Sequence, residues 1–318
     1  MKKSLLLFLC LLLLTGCGGS GGSDSKKSEA DTERWNSYVV VSNSLDKVDK
    51  ALEAYLEAFG DSAQYQQTTK TTSFTNNMNS SSTDKFGKDI DKALELSKKD
   101  STELGKATTA LLTPAKELWA NLAEAADYYK NKNYVDDNYA KAKTLHEKII
   151  AIYPSYDDNL PAFNDLMDKQ NRELRKSDIK EMKADGRALM ATMLEAIDAA
   201  QTMQDILYEQ NITSENLQSL SMDKFRPAYD EYVKYLNEFE KLSKDEKLVK
   251  EEKLEGYSIS SLLNALKSVK TSAAGLIERH QQNKKAPFSP SMTTGTPEHF
   301  DRQMDALIAR YNQAIGVK

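Results

Sequence analysis

The sequence has few of the residues that most often mark catalytic or metal chemistry. Among 318 residues there are two cysteines, at positions 10 and 17, and three histidines, at positions 146, 280 and 299. Two cysteines are too few for a disulfide framework or a cysteine-rich zinc site. The histidines do not form the His-x-x-x-His pair of a helical metal site. Beyond the Gly/Ser run that follows Cys17, no Gly-x-Ser-x-Gly nucleophile motif occurs.

The sequence also lacks an apolar run long enough to cross a membrane. The longest candidate, residues 5–14, follows Lys2 and Lys3, and it is shorter than the roughly 20 residues that a transmembrane helix needs. A positive start and a short apolar run are typical of a signal peptide. The run ends in Leu14-Thr15-Gly16-Cys17, which resembles the lipobox of bacterial lipoproteins.

This resemblance implies a lipid anchor at Cys17. In that family the cysteine thiol receives diacylglycerol, the chain is cleaved after Gly16, and the new amino group is acylated. We therefore expect a signal peptide over residues 1–16, a lipidated Cys17, and a flexible Gly/Ser-rich tether to residue 30. In a Gram-negative host the residue after Cys17 implies the periplasmic face of the outer membrane. In a Gram-positive host the outer face of the single membrane is implied.

The charge balance argues against several partners. The formal net charge is −5, and removal of Lys2 and Lys3 with the signal peptide lowers it to −7. A mildly acidic chain does not favour binding to nucleic acid or a broadly basic membrane-binding face. With Cys10 removed and Cys17 lipidated, the stability of the domain must come from its hydrophobic core.

The remaining sequence predicts helices throughout. Apolar residues recur at steps of three and four, 29% of the residues are charged, and only 13 are glycine, which together indicate amphipathic helices. No alternation typical of strands and no repeat of fixed length is found. The predicted fold is all-α, a single bundle of about seven to nine helices over residues 31–318.

Several boundaries follow from local signals. Residues 32–59 are predicted to form one helix that ends at Gly60. The polar stretch 61–83 is predicted to be a loop. A further helix is expected to begin at Thr113 and Pro114, as an N-cap and first-turn pair.

Two more predictions concern the central part of the chain. Pro154 and Pro161 are predicted to bracket a bend between helices. After this bend, one long helix is predicted to reach residue 211. Gly186 lies on its apolar stripe, where we expect a neighbouring helix to approach closely.

Several short motifs follow one another along the predicted domain. They are Trp35-Asn36-Ser37-Tyr38, Asn43, Tyr128-Tyr129, Tyr134, Asp136-Asp137, Leu145-His146 and Tyr311-Asn312. With the lipobox, this order resembles the YiiG-like bacterial lipoproteins, a domain family of unknown function. The resemblance covers roughly residues 31–316, and it implies one helical envelope domain behind a lipid anchor, with no assigned reaction.

One group of residues is a candidate for binding a divalent cation. Asp136, Asp137 and His146 would meet if the loop before the helix folded back onto it, and carboxylates with an imidazole suit such an ion. The alternative is that His146 is a hydrogen-bonded residue between helices. Asp136 and Asp137 would then cap a helix start, where acidic residues complement the helix dipole.

Tyrosine is the other clue to a binding site. Of 15 tyrosines, several are concentrated in one short region, including Tyr128, Tyr129 and Tyr134. Clustered tyrosines can line a groove for a glycan or peptide, because each ring offers apolar area and a hydroxyl. With His146 nearby in sequence, these residues are the candidate ligand-binding site. The alternative is that they pack between helices.

The sequence therefore predicts a lipid-anchored envelope protein that is not an enzyme and binds no cofactor. The helical domain would bind or scaffold another envelope component, such as a protein, peptidoglycan or a glycan. The second hypothesis is a helical binding protein for a small ligand or a divalent cation.

Overall fold

The chain is all-α throughout the part that the structure describes. The computed structural model covers residues 29–67, 71–78, 80–254 and 257–314. Within these ranges there is no strand, which confirms the predicted fold class. None of the helices in these ranges is both long and apolar enough to span a bilayer. The predicted signal peptide and Cys17 lie outside the described residues.

The helices follow one another with short connections. Two 3₁₀ turns, Leu217–Ser219 and Pro290–Met292, accompany the α-helices. The α-helices are α1 (Glu29–Ser42), α2 (Asp46–Phe59), α3 (Thr72–Asn77), α4 (Ser80–Ser97), α5 (Glu103–Lys130), α6 (Tyr134–Asp137), α7 (Ala140–Ala184), α8 (Ala188–Glu209), α9 (Met222–Leu242), α10 (Glu246–Glu251), α11 (Tyr257–Gln281) and α12 (Pro297–Ala314).

The described residues form two compact units. The N-terminal unit ends at Gln170, and the C-terminal unit begins at Asn171. Helix α7 contributes residues to both. In the N-terminal unit α1 packs on α4, α4 on α5, and α2 on α3 and α5. In the C-terminal unit α8 packs on α9, α10 and α12, while α11 packs on α9 and α12.

The first apolar seam consists of the apolar residues that recur at steps of three and four over residues 32–59. It is buried as the sequence predicts, although it spans two helices rather than one. The chain leaves the helix at Ser42 and resumes at Asp46, because Asn43 and Ser44 favour turns over helix interiors. The seam continues across this turn because the turn residue Leu45 is itself buried. All seven predicted residues are buried: Tyr38, Val41, Leu45, Val48, Leu52, Tyr55 and Phe59.

Gly60 ends α2 as predicted, with a positive φ of 87°. The prediction of a loop over residues 61–83 is wrong in part, because it contains α3 and the start of α4. Phe74 lies on α3 and is fully buried. A single aromatic side chain in a polar stretch carries no periodicity, so only its tertiary contacts reveal this helix.

Helix α5 starts earlier than predicted. Its N-cap is Thr102, whose Oγ1 accepts a hydrogen bond from the Gly105 N–H at 3.1 Å. Thr113 and Pro114 lie inside the helix, so their prediction as a helix start is wrong. Pro114 is itself buried together with Ala115 and Leu118, and this packing offsets the lost backbone hydrogen bond.

Helix α7 runs through both of its prolines, so the predicted bend between Pro154 and Pro161 is wrong. An interior proline costs about 3 kcal/mol. Side chains around both prolines are buried, including Tyr156 and Phe163. The Tyr156 hydroxyl also donates to Asp49 Oδ1 on α2 at 2.9 Å, which ties this part of α7 to the N-terminal unit.

Gly186 separates α7 from α8, so the single long helix predicted to residue 211 is wrong. Gly186 has a φ of 76°, and the Arg187 N–H donates to the Met182 carbonyl at 2.8 Å, which closes the end of α7. No atom lies within 4 Å of the position that a Cβ would take at Gly186. The glycine is needed for its backbone conformation and not for the predicted close helix approach.

The C-terminal unit has a mainly aliphatic core, to which α8 contributes Leu189, Met193, Ile197 and Met203. The N-terminus of α8 is capped from a distance. Glu252 accepts hydrogen bonds from the backbone N–H groups of Leu189 and Met190, both at 2.8 Å. A carboxylate at this position also complements the helix dipole.

Two ion pairs connect α7 to α8 within the C-terminal unit. Arg175 Nε lies 3.1 Å from Asp198 Oδ1, and Arg172 Nη2 lies 2.5 Å from Asp205 Oδ2. The Arg175 side chain is fully buried. A charge buried this deeply requires a partner, so the pairing fixes the register of the two helices.

Candidate functional site: the tyrosine cluster

The predicted ligand-binding tyrosines belong to a larger aromatic group in the N-terminal unit, here named the tyrosine cluster. Its residues come from α2, the turn after it, α3, the end of α5, α6, and the start of α7. The members are Tyr55, Phe59, Tyr65, Phe74, Tyr128, Tyr129, Tyr134, Tyr139 and His146.

The inner part of the cluster is hydrophobic core. Phe59 and Tyr129 stack with centroids 4.5 Å apart and planes 22° from parallel. Phe74 meets Phe59 edge-on at 5.9 Å. Tyr128 and Tyr129 are both buried, so these two candidates pack between helices and offer no open groove of their own.

The hydroxyl groups of these buried rings are all engaged. The Tyr65 and Tyr129 hydroxyl oxygens are 2.6 Å apart, and the Tyr128 hydroxyl donates to Asp137 Oδ1 at 2.5 Å. Burial raises the pKa of both Tyr128 and Tyr129. The Tyr128 hydrogen bond lowers the pKa of Asp137. The two phenols therefore stay neutral at physiological pH.

His146 is a hydrogen-bonded residue between elements, as one of the two alternatives predicted. Its ring is fully buried. Nδ1 lies 3.1 Å from the Tyr55 hydroxyl, and Nε2 lies 2.8 Å from the Ser62 carbonyl oxygen. Because a carbonyl only accepts, Nε2 carries the proton, and Nδ1 accepts from Tyr55. Both ring nitrogens are thus committed to internal bonds.

The structure does not assemble the candidate cation site. Among the residues described, no three His, Cys, Asp or Glu side chains are grouped so that they could hold a metal ion. Asp136 is exposed whereas His146 is buried. Asp137 Oδ2 accepts from the Lys141 backbone N–H at 3.0 Å, which is the predicted alternative role of an acidic residue at a helix start.

The outer part of the cluster is partly exposed. Tyr134 and Tyr139 stack with centroids 5.0 Å apart and planes 16° from parallel, and both are partly accessible to solvent. Val135 beside them is 72% exposed. Part of each ring is therefore accessible beside an exposed apolar side chain, and a sugar or another ring can contact such aromatic area.

The backbone that holds this pair is strained. Asn138 and Tyr139 have φ values of 50° and 64°, and a bulky residue in this left-handed region is unusual. Tyr139 is held there because its ring stacks on Tyr134 and lies 6.4 Å from the ring of Tyr65. Strain of this kind is often retained at binding sites. The sequence contains no signal for it, because tyrosine does not ordinarily adopt this conformation.

The C-terminal unit contains one serine–histidine contact that the sequence did not reveal. Ser272 Oγ lies 2.8 Å from His299 Nδ1, and Gln303 Nε2 lies 3.3 Å from His299 Nε2. The amide donates to Nε2, so Nδ1 carries the proton and donates to Ser272. Ser272 is fully buried, and a protonated Nδ1 is unable to remove its hydroxyl proton. This geometry is that of a structural contact.

The structure thus defines an all-α protein. The side chains of His146, Ser272 and His299 are hydrogen-bonded to other groups of the same chain. The chain belongs to the family described as protein of unknown function (DUF3829), whose model matches residues 29–313. No curated protein matches the chain, and no solved structure matches it. The family match carries no reaction, and the narrower resemblance to YiiG-like lipoproteins stays a prediction.

Proposed function

We propose that the protein is a bacterial envelope lipoprotein, anchored at Cys17, whose helical domain binds another envelope component without catalysis. The family match begins at residue 29, immediately after the predicted signal peptide and most of the tether. This division agrees with a helical domain carried behind a separate targeting and anchoring segment. In a Gram-negative host the domain would lie at the periplasmic face of the outer membrane.

The proposal of a non-catalytic role is supported by how the reactive side chains are used. Both nitrogens of His146 bond to groups of the N-terminal unit. Ser272 and His299 bond to each other in the interior of the C-terminal unit. Side chains in such internal contacts stabilise the fold and do not face a substrate.

The observation that carries the binding proposal is the stacked pair of Tyr134 and Tyr139. These two partly exposed rings beside a strained turn offer apolar area to a ligand, while the ring hydroxyls can bond to polar groups. This geometry favours a glycan or peptidoglycan fragment, whose sugar rings present flat apolar faces. A peptide from an envelope protein is the other partner that the surface suits.

The anchor is tested by cell fractionation. Cys17→Ser removes the only thiol that the lipobox can offer for lipidation, so the variant should move from the membrane fraction to the soluble fraction. Wild-type protein processed in the same cells is the control. Retention of the variant in the membrane at wild-type level would overturn the anchoring proposal.

The binding surface is tested by thermal shift against soluble peptidoglycan fragments and envelope glycans. A ligand that binds only the folded state raises the melting temperature. We expect a rise for the wild-type chain that Tyr134→Ala abolishes. Tyr235→Ala is the matched control, because Tyr235 is a partly exposed tyrosine on α9 in the C-terminal unit. A rise that survives Tyr134→Ala would place the ligand elsewhere.

The second hypothesis, a site for a cation or small ligand at Asp136, Asp137 and His146, has less support. A ligand at His146 would have to displace the Tyr55 or Ser62 hydrogen bond. Divalent metals added to the same screen test it. A metal-dependent rise that disappears in His146→Ala would favour this hypothesis over the tyrosine surface.

A further inference from the structure

The connection between α11 and α12 exposes two large apolar side chains. Phe288 is 105% exposed, as open as in an isolated peptide, and Met292 is 67% exposed. Full exposure of a phenylalanine forgoes the hydrophobic stabilisation that burial would give. The fully exposed Phe288 is therefore a candidate point of contact with something outside the chain.

Hydrogen bonds and a close contact between two glycines hold the connection on both sides of Phe288. Arg279 Nη2 donates to the Lys285 carbonyl at 2.6 Å. Thr293 Oγ1 donates to the Ser289 carbonyl at 2.8 Å. At its base, Gly295 approaches Gly275 of α11 so closely that an added Cβ at Gly275 would lie 2.8 Å from the Gly295 Cα. These contacts fix both ends of the segment around Phe288.

The surroundings of the two apolar side chains are basic. Residues 279–297 contain Arg279, Lys284 and Lys285 but no aspartate or glutamate. Arg302 Nη1 lies 2.7 Å from Met292 Sδ, so a further cation adjoins the patch. Lys284 Nζ lies 3.2 Å from Glu278 Oε1, with both side chains about half exposed, and an exposed pair of this kind is weak enough to open.

We propose that this Phe288 patch, defined as Lys284, Lys285, Phe288, Met292 and Arg302, inserts into the surface of a bilayer that contains anionic lipid. Apolar side chains close in sequence to several cations match the layering of such a surface, where headgroup charge overlies acyl chains. A stable protein interface buries about 800 Å² on each partner, whereas this patch exposes two apolar side chains.

The inference rests on the proposed anchoring at Cys17, because a lipid anchor keeps the domain close to a bilayer. One inserted phenylalanine with a few cations gives weak and reversible binding by itself. It becomes effective when the anchor raises the local concentration. The patch would then fix which face of the C-terminal unit is turned to the membrane.

The test measures vesicle binding without the lipid anchor. A chain that starts at residue 17 and carries Cys17→Ser keeps every described helix and cannot be lipidated. Its co-sedimentation is measured with vesicles of phosphatidylcholine and phosphatidylglycerol at 3:1 and with phosphatidylcholine alone. We expect measurable binding to the anionic vesicles that weakens roughly tenfold in Phe288→Ser. Each of Lys284→Gln and Lys285→Gln should weaken it roughly fivefold.

The matched control is Val40→Ser, which removes an exposed apolar side chain of α1 that lies outside both proposed binding surfaces. Wild-type binding in this control together with loss in Phe288→Ser supports the proposal. The proposal is overturned if Phe288→Ser binds the anionic vesicles as well as the chain with an unchanged patch does. It is also overturned if that chain does not bind anionic vesicles at all. Fractionation of Cys17→Ser cells tests the anchor separately, so failure of one proposal is distinguished from failure of the other.

Discussion

The two units of the chain have cores of different chemistry. In the N-terminal unit the core is centred on rings whose hydroxyls also hydrogen-bond, such as Tyr55 to His146 and Tyr65 to Tyr129. In the C-terminal unit the core is mainly aliphatic, with the buried Arg175–Asp198 pair linking α7 to α8. Both units are helical, so the difference lies in the side chains and not in the backbone.

This difference teaches how clustered tyrosines should be interpreted. In the N-terminal unit most of the clustered rings are core residues with polar tips, and their hydroxyls find partners inside the protein. Tyr134 and Tyr139 combine ring stacking with solvent access, and Tyr139 also has a strained backbone. A tyrosine-rich sequence therefore indicates an aromatic core first, and a binding surface only where the rings reach solvent.

The strongest test of the comparison is a large cavity in one core. Phe59→Ala removes a fully buried ring that contacts Tyr55, Tyr65, Phe74 and Tyr129, and it should lower the unfolding free energy by about 3–5 kcal/mol. Hydrogen exchange followed by mass spectrometry should show lost protection in α2 and α5, with α11 unchanged. Leu266→Ala is the reciprocal change in the C-terminal unit. Equal loss across both units would show that the two cores unfold together.

The second test removes one partner of the buried charge pair. Asp198→Asn removes the carboxylate that lies 3.1 Å from Arg175 Nε and should destabilise the C-terminal unit by roughly 1–3 kcal/mol in urea unfolding. Asp230→Asn is the control, because Asp230 pairs with Arg226 four residues away at the surface and should change stability by less than about 0.5 kcal/mol. Equal losses of unfolding free energy in the two variants would mean that burial of Arg175 does not strengthen its ion pair with Asp198.

The third test is the corresponding change in the N-terminal unit. Tyr55→Phe keeps the ring but removes the hydroxyl that bonds to His146 Nδ1, and leaving that nitrogen unpaired should cost about 1–2 kcal/mol. Melting temperature measured by calorimetry gives the effect. His146→Ala in the Tyr55→Phe background should then lose less than it does in wild type. Full additivity of the two changes would contradict the hydrogen bond.

The smallest expected effect concerns pH. Burial and the neighbouring Asp301 raise the pKa of Asp305 to about 6 from its usual 3.8. The folded state then binds this proton more tightly than the unfolded state, so stability falls as pH rises from about 4 to about 6. Asp305→Asn should raise stability at pH 7 by at most about 1 kcal/mol because solvent screens the partly exposed group.

A series of melting curves from pH 4 to pH 7 checks this prediction. Wild type and Asp305→Asn should coincide at pH 4 and separate as pH rises. In the N-terminal unit, the buried tyrosines Tyr128 and Tyr129 have pKa values raised above 10, so they contribute no slope in this range. A constant difference between the two proteins at every pH would contradict the proposed titration.

Much of the fold was predictable because helix periodicity survives local interruptions. The seam of α1 and α2 is buried at every predicted position, and Phe300, Met304, Leu307 and Tyr311 of α12 are buried as the same spacing predicts. Burial of an apolar stripe depends on spacing along the helix, and the sequence contains that information directly.

The errors arose where tertiary packing outweighs local preference. Pro114, Pro154 and Pro161 lie within helices although proline favours helix starts and bends, because flanking buried residues offset the lost hydrogen bonds. Gly186 ends a helix because it adopts a positive φ. Its position on an apolar stripe does not predict that backbone conformation. The candidate site depends on contacts such as Tyr55 with His146, 91 residues apart, and no local pattern specifies such a distance.

Both tryptophans of the chain, Trp35 and Trp119, lie in the N-terminal unit and are 5% and 4% exposed. Intrinsic tryptophan emission is therefore a reporter for the aromatic core alone and is silent about the aliphatic one. Far-ultraviolet circular dichroism counts the helices of both. Comparing the two signals along one denaturation curve separates the unfolding of the two units without any label, since the emission follows one core and the ellipticity follows both.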